Sequence, residues 1–336
     1  MLSSLLSYFS MPEFIKGGPL CKIVKRLDNK VAIVTGSNTG IGKEIAGELA
    51  RRGCKVYLAS RNMERLDDAK KDILLMYNEN NYLSKNMNDD CLKQCYTPVK
   101  DENLIPAILD LSNFKSVCDF VDNFKEQKVD FLICNAGIAG LKTFTKNEDG
   151  FEVQFATNHL GHLLLTELLM EKIKNSEKPR ITFVSAWGHK YGNTDWNNLE
   201  RTPETYTQIG PYTDSKLGNV IYSRYLSEKL KNAVVSSHHP GVVKTEIFRN
   251  VSGVTKYSFM ALNVFGVSPW EGSQTSLHCL LADNIVSGGF YMQSSQKQPL
   301  EIVNDSKSNE VMIRKSIELI KRSKYASLFQ DRLQKY

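Results

Sequence analysis

Val31-Ala32-Ile33-Val34-Thr35 runs without a break into Gly36-Ser37-Asn38-Thr39-Gly40-Ile41-Gly42, and the reading of the whole chain turns on this stretch. An apolar, β-branched run of this length predicts a strand buried on both faces. The glycines permit a tight turn and let the backbone approach a ligand closely. A helical pattern starts at once, so free N–H groups and the positive end of the helix dipole face the turn, as a phosphate group requires. A glycine-rich turn alone is weak evidence. Its position between a first strand and a helix makes it informative.

Working outward, the same alternation continues. Further strands are expected at Lys55–Ala59, Ile105–Leu109, Asp130–Cys134, Arg180–Ser185, Ala233–His238 and Gly289–Met292. Helical patterns lie between them, near 41–53, 63–76, 114–127, 151–174, 213–231 and 271–282. Strands alternating with helices predict an α/β fold, a single-domain Rossmann-type doubly wound sheet of about seven parallel strands with helices on both faces. The expected organisation is a leader over 1–27, one domain over 28–310 and a basic helical tail over 311–336. Within the domain, residues 77–103 are rich in Asn and poor in aliphatics, which predicts an exposed, mobile insertion.

Composition narrows the function. The 336 residues are 41% hydrophobic with a formal charge of +6, an excess too small for a nucleic-acid binder unless it is concentrated. It divides between the ends, +3 over residues 1–30 and +5 over 314–336, around a body of −2. No run of 18 apolar residues exists to span a bilayer. Leu2, Leu5, Leu6 and Phe9 form one apolar stripe before Pro12. It reads either as a peripheral membrane contact helped by nearby lysines or as a short helix docked on the body. The seven cysteines are odd in number and dispersed, so reduced thiols in an intracellular, cytoplasmic compartment are expected, with any membrane association on its cytosolic face. Cys91 and Cys95 have no accompanying pair, and no metal site is expected.

The second strand ends in Ala59-Ser60-Arg61, with no acidic residue to accept hydrogen bonds from an adenosine ribose. Arg61 suits a 2′-phosphate, so NADP(H) is expected over NAD(H). Ser185 ends a strand at the carboxyl edge of the sheet, where ligands bind in this architecture. Tyr212 and Lys216 are spaced i, i+4 on one helix face. A cation within about 4–6 Å lowers a phenol's pKa and makes it a competent acid–base at neutral pH. The same spacing recurs at Tyr96–Lys100, which contains Pro98, and at Tyr225–Lys229, further down the helix. Only Tyr212 combines a helix start with an upstream strand-end serine.

The set Thr35-Gly36-x-x-x-Gly40-x-Gly42, Asn135-Ala136-Gly137, Ser185, Tyr212-x-x-x-Lys216 and Pro240-Gly241 resembles the short-chain dehydrogenase/reductase family over roughly residues 28–295. Gly40-Ile41-Gly42-Lys43-Glu44, Asn158-His159-Leu160-Gly161-His162, Trp196-Asn197-Asn198-Leu199 and His239-Pro240-Gly241-Val242-Val243 are similar to its retinol dehydrogenase-like branch, related to the WW-domain oxidoreductases. No WW domain is visible before residue 30. The resemblance implies a catalytic set of Asn158, Ser185, Tyr212 and Lys216, with Asn158 holding a water behind Lys216. It implies cofactor contacts from Gly36, Asn38, Thr39, Gly40, Ile41, Gly42, Arg61, Asp110 and Leu111. Asn135, Ala136, Gly137, Tyr212, Lys216, Pro240, Gly241, Val242 and Thr245 complete that set, with Asp110 at the adenine and Val242 and Thr245 at the nicotinamide.

The expected activity is therefore NADP(H)-dependent interconversion of a lipophilic alcohol, retinol-like, and its aldehyde or ketone. A steroid or general carbonyl reductase is the alternative, and an NADP(H)-binding scaffold the rival from another class. Substrate specificity is expected in 186–210 and 245–269, the latter carrying Val254, Tyr257, Phe259, Met260, Leu262, Val264 and Phe265. His189 reads either as part of the substrate mouth or as a surface residue. A homodimer is left open as the assembly.

Overall fold

The computed structural model describes residues 13–78, 90–249, 251–253 and 264–333. Seven strands pair in parallel: β1 (Val31–Thr35), β2 (Lys55–Ser60), β3 (Leu104–Ile108), β4 (Phe131–Cys134), β5 (Arg180–Val184), β6 (Val234–His239) and β7 (Gly289–Met292). Their order is β3-β2-β1-β4-β5-β6-β7, and an antiparallel edge strand, β8 (Ser295–Lys297), follows. That eighth strand was not expected. It has three residues, all polar, so it carries no periodic signal. The order reverses between β1 and β4, which opens a crevice at their carboxyl ends.

Alternation along the strands builds two cores. Val31 and Ile33 point to one face, with Leu132, Ile181 and Phe183; Ala32 and Val34 point to the other, with Val56, Leu58 and Ile133. The longer helices among the described residues are α1 (Gly40–Ala50), α2 (Met63–Asn78), α3 (Phe114–Asn123), α4 (Gly161–Leu168), α5 (Gly210–Lys229), α6 (Pro269–Leu281) and α7 (Ser306–Lys321). The second face is covered by α1, α2 and α6, and the first by α3, α4, α5 and α7. Both faces are thus dry, as the apolar strands require.

Several expectations are corrected. The pattern over 151–174 is not one helix: a π-helical turn, Ala156–Leu160, interrupts it before α4. Asp130 is not in β4. Its carboxylate instead accepts from the Val31 N–H (2.9 Å) and pairs with Lys30 and Lys128. In the polar insertion, residues 79–89 lie outside the described residues, but the remainder is not simply exposed. Leu92, Cys95 and Val99 are buried, and the Arg51 guanidinium lies 3.6 Å from the centre of the Tyr96 ring. Two aromatics on a buried cation, Tyr96 and Tyr77 (5.2 Å), help anchor a stretch poor in aliphatics. The α7 helix begins before residue 310 and buries Met312, Ile313, Ile317 and Ile320 against the body. The stripe Leu2, Leu5, Leu6 and Phe9, with Pro12, lies outside the described residues. Among the described residues no helix is long and apolar enough to cross a membrane.

Candidate active site

The crevice at the carboxyl ends of β1 and β4 is a cavity of about 560 Å³. Gly36 (φ +67°) and Gly40 (φ +58°) hold the β1–α1 turn in left-handed conformations, which glycine adopts without strain. A Cβ at Gly36 would fall 2.9 Å from Ala136 Cα, and one at Gly42 only 2.5 Å from Asn135 Nδ2. The turn is therefore pressed against the loop after β4. Gly36, Asn38, Thr39, Gly40 and Ile41 line the cavity, whereas Gly42 lies behind them as a packing surface for Asn135. Arg61, Asp110, Leu111, Asn135, Ala136 and Gly137 line the same cavity, as do Pro240, Gly241, Val242 and Thr245.

Thr35 joins these parts. Its hydroxyl accepts from the N–H groups of Asn135 and Ala136, each at 2.9 Å, so its own hydrogen must point elsewhere. His162 Nε2 lies 2.8 Å away, and His162 Nδ1 lies 2.8 Å from the Asn158 carbonyl oxygen. A carbonyl only accepts, so Nδ1 carries the ring proton and Nε2 receives the Thr35 hydrogen. Burial pushes His162 down to about 3, which keeps it neutral and preserves this tautomer. Thr35 and His162 were not among the expected site residues. Their role depends on the π-helical turn that brings Asn158 beneath the loop after β4.

The catalytic candidates converge on the same cavity. Tyr212 sits in the first turn of α5, and Ser185 follows β5. Ser185 Oγ donates to the Lys216 carbonyl (2.8 Å), and Lys216 Nζ donates to the Val184 carbonyl (2.8 Å). Asn158 does not line the cavity. Its side chain accepts from the Ile138 N–H (2.9 Å) and donates to the Ile138 carbonyl (2.9 Å) and Ser215 Oγ (3.0 Å). A Cβ at Gly137 would lie 3.4 Å from Asn158 Oδ1 and 3.5 Å from Lys216 Nζ, so the glycine leaves both groups facing one small space.

One electrostatic expectation is reversed. Lys216 Nζ is 5.5 Å from the centre of the Tyr212 ring, yet burial pushes the Tyr212 phenol up. Burial also pushes Lys216 down to about 8. Desolvation of the buried phenol is the cause of the upward direction. His189 is corrected too: it is buried behind the cavity, with Nδ1 to the Ala186 carbonyl (2.8 Å) and Nε2 accepting from the Leu300 N–H (3.2 Å).

The residues present fit a dinucleotide. The cradle presents bare backbone, Thr39 makes no side-chain cap to α1, and the buried hydroxyls of Ser37 and Ser60 have no partner among the described residues. Sequence reasoning missed Phe14, which lines the cavity together with Ile138, Trp187, Ile209 and Ile247. Trp187 and Ile209 fall in the expected specificity stretch 186–210 and Ile247 in 245–269, whereas Phe14 stands before the first strand and carries no such signal.

The short chain dehydrogenase family model matches residues 30–76 and 74–254. The chain belongs to that family. Retinol dehydrogenase 12 of Bos taurus is 33% identical over 332 residues, 95% of this chain and 96% of the relative. Retinol dehydrogenase 11 of Homo sapiens is 35% identical, over 87% and 86%. A solved structure of an uncharacterized protein from Mycobacterium paratuberculosis has a TM-score of 0.68 at 23% identity, covering 90% of this chain and 98% of that one. That structure shares the fold. As a retinol dehydrogenase-like short-chain dehydrogenase/reductase, the chain is an oxidoreductase of the alcohol–carbonyl pair that uses a nicotinamide dinucleotide.

Proposed function

We propose that this short-chain dehydrogenase/reductase interconverts a lipophilic alcohol, retinol-like, and its carbonyl with NADP(H) in preference to NAD(H). The observation that carries the reading is that one cavity is lined by the phosphate cradle, Arg61, Ser185 and Tyr212, and also by the apolar side chains of Phe14, Ile138, Trp187, Ile209 and Ile247. Arg61 and the unpartnered Ser60 hydroxyl stand at the end of β2, and both suit a 2′-phosphate. The relatives named as retinol dehydrogenases support a retinoid-sized substrate.

A bound nicotinamide supplies or accepts the hydride. The chain's own groups handle the proton and the geometry. Tyr212 Oη gives its proton to the carbonyl oxygen in reduction and takes it back in oxidation. Ser185 Oγ turns the hydrogen it gives to the Lys216 carbonyl toward the same substrate oxygen and orients it. Lys216 is fixed by its bond to the Val184 carbonyl, with its ammonium toward Tyr212 and the Gly137 space. Asn158 holds Ile138, and with it the loop that lines the cavity.

The test is NADPH oxidation against retinal, a steroid ketone and small aldehydes, with Tyr212→Phe and Arg61→Ala. Tyr212→Phe abolishes turnover and keeps cofactor binding. Loss of a charged phosphate contact by Arg61→Ala weakens NADPH about tenfold or more and leaves NADH nearly unchanged. Tight NADPH binding without turnover of any carbonyl refutes the enzyme reading, and equal effects on both cofactors refute the preference.

A further inference from the structure

The segment Glu13–Gly18 belongs to no part of the site described by the catalytic or cofactor residues, yet it crosses the carboxyl edge of the sheet beside them. Its backbone is fixed there. His239 Nε2 donates to the Phe14 carbonyl (2.7 Å), and the Val242 N–H donates to the Ile15 carbonyl (3.1 Å). Gly241, at φ +93°, makes room for it, since a Cβ would fall 2.6 Å from the Lys16 carbonyl oxygen. On the other side, a Cβ at Gly17 would fall 2.9 Å from the Glu271 carbonyl oxygen, and one at Gly18 only 2.5 Å from Thr275 Oγ1. Glu13 pairs with Lys297 (3.1 Å) and closes the end. The strap is thus seated directly on Gly241 and Val242, which line the catalytic cavity.

Its position delivers one side chain to the substrate. Phe14 stacks on Trp187 with ring centroids 4.7 Å apart and planes inclined by 23°, and Tyr191 meets Trp187 edge-on at 5.4 Å. Phe14 and Trp187 both line the catalytic cavity, and both also wall an adjoining pocket of about 410 Å³ that Phe290 and Met292 floor. A substrate that extends from the catalytic cavity into this adjoining pocket passes this pair. Flat aromatic faces receive a flat conjugated chain with the largest contact area and the least loss of rotamer freedom.

We propose that the N-terminal strap is part of the substrate site, and that Phe14, stacked on Trp187, is a specificity-determining residue selecting extended, flat apolar substrates over short aliphatic ones. The substrate class rests on the proposed function; the placement of the strap does not.

The experiment uses the full-length protein with NADPH. Quenching of tryptophan emission by all-trans-retinal gives a dissociation constant, and turnover of retinal and of butanal gives kcat and KM separately. Phe14→Ala weakens retinal binding about tenfold, the amount expected from losing one buried aromatic contact. It raises KM for retinal about tenfold more than KM for butanal. Should Phe14→Ala not fold, Phe14→Leu keeps the apolar bulk and loses the flat face, with a several-fold weaker effect in the same direction. Equal losses on both aldehydes, or an unchanged dissociation constant for retinal, overturn the inference and mark the strap as structural only. Wild-type protein that binds retinal but reduces no carbonyl overturns the proposed function, while the binding comparison still decides the role of Phe14.

Discussion

Acidification should unfold this protein well above the pH at which its carboxylates protonate. Five histidines are buried and held below their ordinary value by desolvation. His159, His189 and His239 are pushed down to about 4, and His162 and His238 to about 3. Partners of fixed role hold a ring in its neutral tautomer, for example His189 between the Ala186 carbonyl (2.8 Å) and the Leu300 N–H (3.2 Å). In the unfolded chain the same rings titrate near 6.5. Between that value and the folded one, the unfolded state binds more protons, so stability is complete above pH 6.5 and is lost as pH falls toward 4. Each histidine costs about 1 kcal/mol per pH unit in that window, so five remove about 5 kcal/mol between pH 6.5 and 5.5. That is comparable with the entire stability of a typical domain, ~5–15 kcal/mol. Urea unfolding at fixed ionic strength from pH 7.5 to 5.0, followed by circular dichroism, measures the slope directly. Replacing His159 by Gln should make the slope shallower by about one proton. A stability that stays level from pH 7.5 to 5.0 would refute the reasoning, because the rings would then be protonated in the fold or exposed.

Two further outcomes follow from the site. Lys216, held near 8 by burial, loses its ammonium as pH rises through that value, so kcat/KM should fall above about pH 8. Lys216→Arg keeps a charge at every accessible pH; a fall near pH 8 that persists in it would assign that titration to another group. Gly42→Ala forces a Cβ to within 2.5 Å of the Gly36 carbonyl oxygen in the turn and of Asn135 Nδ2, which the Thr35 carbonyl holds in place (2.7 Å). It should destabilise the protein by ~1–3 kcal/mol and weaken NADPH binding at least tenfold. A variant equal to wild type in urea melts and cofactor titration would show that the turn can relax.

Much of the site was legible in the sequence because its residues sit at local landmarks. Glycines at a strand-to-helix turn, a serine at a strand end, and a tyrosine and lysine one helical turn apart all carry periodic or conformational signals. The parallel strands showed themselves as apolar runs because both faces of the sheet are covered. What was illegible shares one property: it depends on elements that meet only after folding. The exposed polar strand β8, the packing of Tyr96 on Arg51, and the buried place of His189 have no local pattern. The Tyr212 phenol was misjudged for the same reason. Spacing gives the distance to Lys216, whereas the sign of the shift depends on how much water the fold removes.

Local sequence therefore determined the doubly wound framework and the position of the phosphate cradle, since period, glycine conformation and helix ends are short-range properties. Only the tertiary structure decided that Thr35 and His162 connect the cradle to Asn158. It also decided that a segment before the first strand supplies Phe14 to the cavity wall. Those contacts join residues distant along the chain, and only the assembled sheet, with its helices in place, sets their separation.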